Sequence, residues 1–154
     1  MKYYAIIADE DSNLVSVGTG TDTAFYESIG MELMDVEQGY DGNWYVAGNA
    51  PKQSLSEQIE TAYADFDARV EARLNTFAAT RRYSSINSAC SYSTSTDSQF
   101  RLEGEYCVQV RDATYRKCYD LLEEYMPAVL AGERPIPTWE EIEAQLPPLV
   151  WPDE

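Results

Sequence analysis

The amino-acid sequence predicts an α+β protein: a small N-terminal antiparallel β-sheet followed by a helical hairpin and a short C-terminal helix. Three observations carry this. Through residue 50 apolar residues alternate with polar ones between turn-forming clusters, the pattern of short strands. From Ser54 the apolar period lengthens to about 3.6 residues in two long stretches. Prolines and glycines then break the last twenty-odd residues into short pieces. The expected domains are a β-rich unit at 1–50, a linker at 51–54 and a helical unit at 55–154.

The first strand is KYYAIIA, Lys2–Ala8, and a polar turn from Asp9 to Asn13 leads into LVSVG, completing a hairpin. TDTAFYESIG holds a helical turn, with Thr21 or Thr23 as its cap and Gly30 as its stop. MELMDVEQGY and NWYVAG flank Asp41-Gly42, a dipeptide suited to the tight turns that match strand twist. Ala50-Pro51-Lys52-Gln53 reads as linker. Ser54-Leu55-Ser56-Glu57 has the form of a capping box, opening a helix expected over about 55–80. Its stripe is Leu55, Ile59, Tyr63, Phe66, Val70, Leu74 and Phe77, with Glu57, Glu60, Asp67, Arg69, Glu71 and Arg73 opposite. A second capping box, Thr96-Asp97-Ser98-Gln99, opens a helix expected over about 97–126, which Pro127 kinks or ends and Gly132 closes. Within it Gly104 costs about 1 kcal/mol relative to alanine, which a close backbone approach by the first helix would explain. Thr138-Trp139-Glu140-Glu141 opens the short helix, expected over 138–146, and Leu149-Val150-Trp151-Pro152 is an extended apolar tail.

Composition narrows the function classes. Hydrophobic residues make up 44% of the 154, enough for a packed core. No apolar run approaches the roughly 20 residues of a spanning helix. Acids at Asp9 arrive before a signal-peptide core can form, so the chain is expected to be soluble and cytoplasmic. Twenty-seven acids against eleven bases give a net charge of −16, a field that repels nucleic-acid backbones and anionic membranes. Cys90, Cys107 and Cys118 show no metal-type spacing. Cys107 and Cys118, on one helix, would stand roughly 16 Å apart, beyond the Cα separation of about 7 Å that a disulfide tolerates. All three are expected to be reduced.

The chemistry of catalysis is thin. There is no histidine, which removes Ser-His-Asp and Cys-His arrangements. Asp9, Asp11 and Asn13 start like a calcium loop, but the sixth and twelfth positions, which need Gly and Glu, hold Leu14 and Gly20. Gly18–Asp22, GTGTD, lacks the glycines and the long helix of a phosphate cradle. The expectation is a protein that is not an enzyme, with no cofactor and no metal. The serine-rich stretch Arg81–Phe100 then reads as an ordered connector whose hydroxyls build turns, with Tyr83, Ile86, Ala89 and Cys90 plugging the end of the helix pair. What remain are anchors that could bind a partner: Tyr40, Trp44 and Tyr45 around the Asp41-Gly42 turn, and Trp139, Leu149, Val150 and Trp151 near the C-terminus. Trp44 and Trp139 suit a core better; Trp151 suits either, and as a surface anchor its truncation would leave the fold intact.

Several of these residues form a pattern. Arg82-Tyr83-Ser84-Ser85-Ile86-Asn87-Ser88-Ala89-Cys90-Ser91-Tyr92, then Phe100, Glu103-Gly104, Arg111-Asp112 and Arg134-Pro135-Ile136-Pro137-Thr138-Trp139-Glu140-Glu141, resemble a domain at the C-terminal end of many phage tail-associated proteins. Gly39-Tyr40-Asp41-Gly42-Asn43-Trp44-Tyr45 with Ala50-Pro51 is similar to small phage tail-fibre assembly proteins. One departure is Val110, where that domain commonly has tryptophan before the Arg-Asp pair. The resemblance implies a non-enzymatic phage protein that binds a tail fibre, trimeric in form, or another tail protein. It would act as assembly chaperone or as a tail-fibre or tip component, in the host cytoplasm during assembly or retained in the virion tail. A homo-oligomer is compatible with it; nucleic acid and membrane are not expected partners. The alternative is a small acidic inhibitor of a host defence protein, acting by nucleic-acid mimicry. Its weakness is the spread of charge: −7 over residues 1–54, −2 over 55–99 and −7 over 100–154, with no dense stripe.

Overall fold

The computed structural model describes residues 1–152; Asp153 and Glu154, the end of the expected 55–154 domain, lie outside the described residues. The protein is α+β, and the chain divides into two compact units, Met1–Ser56 and Glu57–Glu154.

The first unit holds strands β1 (Lys2–Asp9), β2 (Leu14–Val17), β3 (Glu32–Gln38) and β4 (Trp44–Val46), with a helix α1 (Thr23–Ser28) between β2 and β3. Both hairpins form, and they also pair with each other. The first half of β1 pairs with β3 and its second half with β2, while β4 pairs with β2 and β3, all antiparallel. The sheet thereby closes into a barrel in the order β1-β2-β4-β3. Period-two alternation sends Ala5, Val15 and Val36 inward, with Tyr3, Val17, Met34, Trp44 and Val46 packed against them.

Two local details differ from the sequence expectation. Asp41-Gly42 is not a two-residue turn: β3 and β4 meet at Gln38 and Trp44, and residues 39–43 form a longer loop. The Asp41 carboxylate organises it, accepting from the Tyr45 hydroxyl at 2.6 Å, the Asn43 side-chain amide at 2.8 Å and the Asn43 backbone N–H at 3.1 Å. Those bonds, the one from Tyr45 foremost, hold its carboxyl below the usual carboxylate range. The cap of α1 is Asp22 rather than a threonine, because its carboxylate accepts the Phe25 N–H at 3.0 Å.

The long stripe forms α2 (Leu55–Ala79), which starts two residues before the second unit and whose Val70, Leu74, Phe77 and Ala78 are buried. The connector is more regular than the sequence suggests. It contains α3 (Ile86–Ser91) and a 3-10 turn, Tyr92–Thr94, before α4 (Ser98–Leu130). Arg82 takes a left-handed φ of 68° where α2 ends, and the Tyr83 N–H closes back on the Ala78 carbonyl at 3.3 Å. Ser85 caps α3 by accepting the Ser88 N–H at 3.0 Å, and the Asn75 side-chain oxygen accepts the Ile86 N–H at 2.9 Å, fastening α3 to α2. Ile86, Ala89 and Cys90, spaced i, i+3, i+4, enter the core with Cys107 and Leu121 of α4.

Gly104 serves this connector, not the first helix. A Cβ on it would fall 2.5 Å from the Tyr92 carbonyl carbon and closer still to the Ser93 nitrogen, so the 3-10 turn lies directly on the backbone of α4. The cap of α4 is Asp97, which accepts the Gln99 and Phe100 N–H groups, each at 3.0 Å, in place of Thr96. The helix also continues through Pro127 to Leu130. Proline removes one hydrogen bond, but Val129 beyond it is buried in exchange. Gly132 at φ 73° then ends it, with the Glu133 N–H reaching the Ala128 carbonyl at 2.9 Å. The last helix, α5 (Trp139–Glu143), is shorter than 138–146 and opens on the expected Thr138–Glu141 capping box.

Candidate functional site

Two regions of the helical unit stand out, a buried polar network and an open apolar groove. At the connector end, Glu103 is 3% exposed yet carries a carboxylate. Arg81 donates to its Oε1 at 2.9 Å, Gln99 to the same oxygen at 2.8 Å and the Tyr83 hydroxyl to its Oε2 at 2.7 Å. Burial, and next the bond to Glu103, push the Tyr83 hydroxyl well above its ordinary value, so it stays a donor. Cys107, one turn on, is pushed up to about 12, burial being the main cause, and Cys90 is raised for the same first reason. Neither thiol is poised as a nucleophile at neutral pH.

The C-terminal tail closes over this end. The Trp151 indole stacks on Phe77, ring centroids 4.3 Å apart and planes 19° apart. It donates its N–H to the Thr80 hydroxyl at 2.8 Å and lies under the Arg81 guanidinium, 5.5 Å from the ring centre. The Val150 N–H donates to the Tyr106 hydroxyl at 2.9 Å, and Arg73 donates to the Pro147 carbonyl at 2.9 Å. Trp151 therefore packs against the core of the unit, the first of the two roles that the sequence leaves open for it. Replacing Trp151 with alanine is expected to cost about 2 kcal/mol, below the roughly 3–5 of a fully buried aromatic because the ring is only partly covered. Urea denaturation measures this; an unchanged midpoint would return Trp151 to the surface role.

The other region is a groove of about 650 Å³ between the N-terminal half of α2 and the C-terminal half of α4. Ile59, Tyr63 and Phe66 line one side, and Tyr115, Tyr119, Leu122 and Met126 the other. Buried Val70, Leu121, Val129 and Ile142 contribute to its lining, together with Ile136 and Pro137. Tyr119 is 60% exposed. The charged side chains that line it are Asp67 and Glu71, one turn apart on α2, and neither forms an ion pair among the described residues. Burial first, and then the charges of Glu71 and Asp67, raise the Tyr115 hydroxyl above its ordinary value.

The anchors expected from sequence scatter. In the first unit, Trp44 packs on Tyr3 with ring centroids 5.2 Å apart, and Tyr45 is buried in its bond to Asp41. Trp139 packs on the helical core with Phe66 and lies beneath the Arg69 guanidinium. Leu149 packs there too. Of the seven, Tyr40 at 55% and Val150 at 68% are largely exposed. The groove was missed because its residues belong to the same two stripes as the core. Periodicity marks a face; it does not say where along the helix a partner helix departs from it.

Among the described residues no cluster of acids and cysteines could hold a metal ion, and no helix is long and apolar enough to cross a membrane. Compared with known protein families, with curated proteins and with solved structures, the chain matches none.

Proposed function

We propose that the chain works by binding rather than catalysis, taking an apolar segment of a phage tail fibre into the α2–α4 groove, as assembly chaperone or fibre-tip component. The fibre identity rests on the resemblance of Arg82–Tyr92 and Arg134–Glu141 to tail-associated domains. The observation that carries the binding role is the groove itself, an open apolar surface of a size that accepts a recognition element. Magnitudes favour it over the isolated exposed anchors. Covering one large apolar side chain contributes about 1.5–3 kcal/mol, while association costs an estimated 4–15 kcal/mol. Val150 or Tyr40 alone falls short; the partly exposed row of Ile59, Tyr63, Tyr119, Leu122 and Met126 together does not.

The test is co-expression with the fibre protein encoded in the same genome, followed by size-exclusion chromatography with light scattering. The expected result is a complex of fixed stoichiometry that is lost when Tyr119→Ala and Leu122→Ala are combined. A fibre that assembles while this chain elutes free sinks the reading. A complex indifferent to the double variant moves the binding surface off the groove.

A further inference from the structure

We infer that the partner segment seated in the groove is an amphipathic helix carrying lysine or arginine residues four apart on one flank. This rests on the groove being the docking surface, and it specifies the chemistry of what docks. Two long helices line the space, so the element that packs along both is a third helix laid between them, burying a face at i, i+3, i+4 and i+7. Polarity comes from Asp67 and Glu71. They lie four residues apart on the edge of the groove, without an ion-pair partner among the described residues and with no cation in the lining. Arg69 and Arg73, their neighbours on α2, are already engaged with Asp65 at 2.7 Å and Glu143 at 3.8 Å. Residues four apart on a helix repeat with the same rise, so cations at that spacing on an incoming helix meet both carboxylates in a single register. A second copy of the chain is a poor occupant, because two bodies of charge −16 repel.

The probe is a fluorescein-labelled peptide of about five helical turns, with a leucine face and two lysines four apart on its flank, titrated with the full chain at physiological ionic strength. Its controls are the same peptide with glutamates for the lysines, and a scramble of equal charge without the apolar face. The lysine peptide is expected to bind, with the glutamate peptide and the scramble each about tenfold weaker or worse. Combined Asp67→Lys and Glu71→Lys, both at exposed positions, should invert the preference between the two charged peptides. Combined Tyr119→Ala and Leu122→Ala should abolish binding of either. The inference is overturned by equal binding of scramble and probe, by a preference that survives charge reversal, or by no binding at all. If the fibre complex forms, depends on Tyr119 and Leu122, but ignores Asp67 and Glu71, the fibre reading stands and this inference falls. If the peptide preference inverts while no fibre complex forms, the fibre reading falls instead.

Discussion

Replacing Gly104 with alanine is expected to destabilise the helical unit by about 3 kcal/mol, although the same change in an open helix stabilises by about 1 kcal/mol. The sign is set by what the new methyl would meet. Its neighbours are main-chain atoms of Tyr92 and Ser93, which lie 2.5 Å from the Cβ position at the Tyr92 carbonyl carbon and 2.9 Å at the Ser93 Cα. A flexible side chain would swing aside; a 3-10 turn held between α3 and α4 cannot without moving both. Lifting the turn would also loosen Tyr92, whose ring lies 5.4 Å from that of Tyr83 and 5.6 Å from that of Phe100. Thermal and urea denaturation of the variant decide the matter. A rise in midpoint would mean that helix propensity outweighs the contact.

Truncating Glu103 to alanine is expected to cost about 3 kcal/mol, and Arg81 to alanine about 2 kcal/mol. The two differ because the partners left behind differ. Without Glu103, the Arg81 side chain, 43% exposed, returns to water, but the half-buried Tyr83 hydroxyl and Gln99 amide lose their acceptor. Without Arg81, a carboxylate whose side chain is 5% exposed must be held by two neutral donors. Because the residues act as one network, the double variant should cost clearly less than the sum of the singles. Denaturation of all four proteins closes the cycle. Additivity to within about 0.5 kcal/mol would show that the pair is not coupled.

What the sequence reveals follows from how long each pattern runs. The stripe from Leu55 to Phe77 spans six turns and delimits α2 to within a residue, because many positions vote on one period. The hairpins are equally legible, yet nothing in either strand pair announces that β1 would split its length between two partners and close the sheet. The helix α3 carries its signal in Ile86, Ala89 and Cys90 alone, three residues in a field of serines, and a single turn is too short for periodicity to separate from chance. Gly104 shows in the sequence as an anomaly but not as a contact, since its neighbour is the backbone of Ser93 rather than a patterned side chain. The groove is hidden for a related reason: Tyr63 and Leu74 are equivalent by pattern and differ only in whether another helix arrives to cover them.

The closing of the tail over the aromatic cluster sets the order in which the helical unit can form. Its bonds join positions far apart in the chain: Arg73 to Pro147 across 74 residues, Thr80 to Trp151 across 71 and Tyr106 to Val150 across 44. Contacts of such separation are reached late, after local helices have formed, because the entropy of closing the loop must be lost first. On a ribosome, α2, the connector and most of α4 can assemble while Phe77, Tyr83 and Tyr106 still lack their cover. The unit is complete only once Trp151 has emerged and folded back. In the finished protein the same separation predicts the order of opening: amides of residues 149–151 are expected to exchange with solvent before those of the α4 interior, which hydrogen exchange measures.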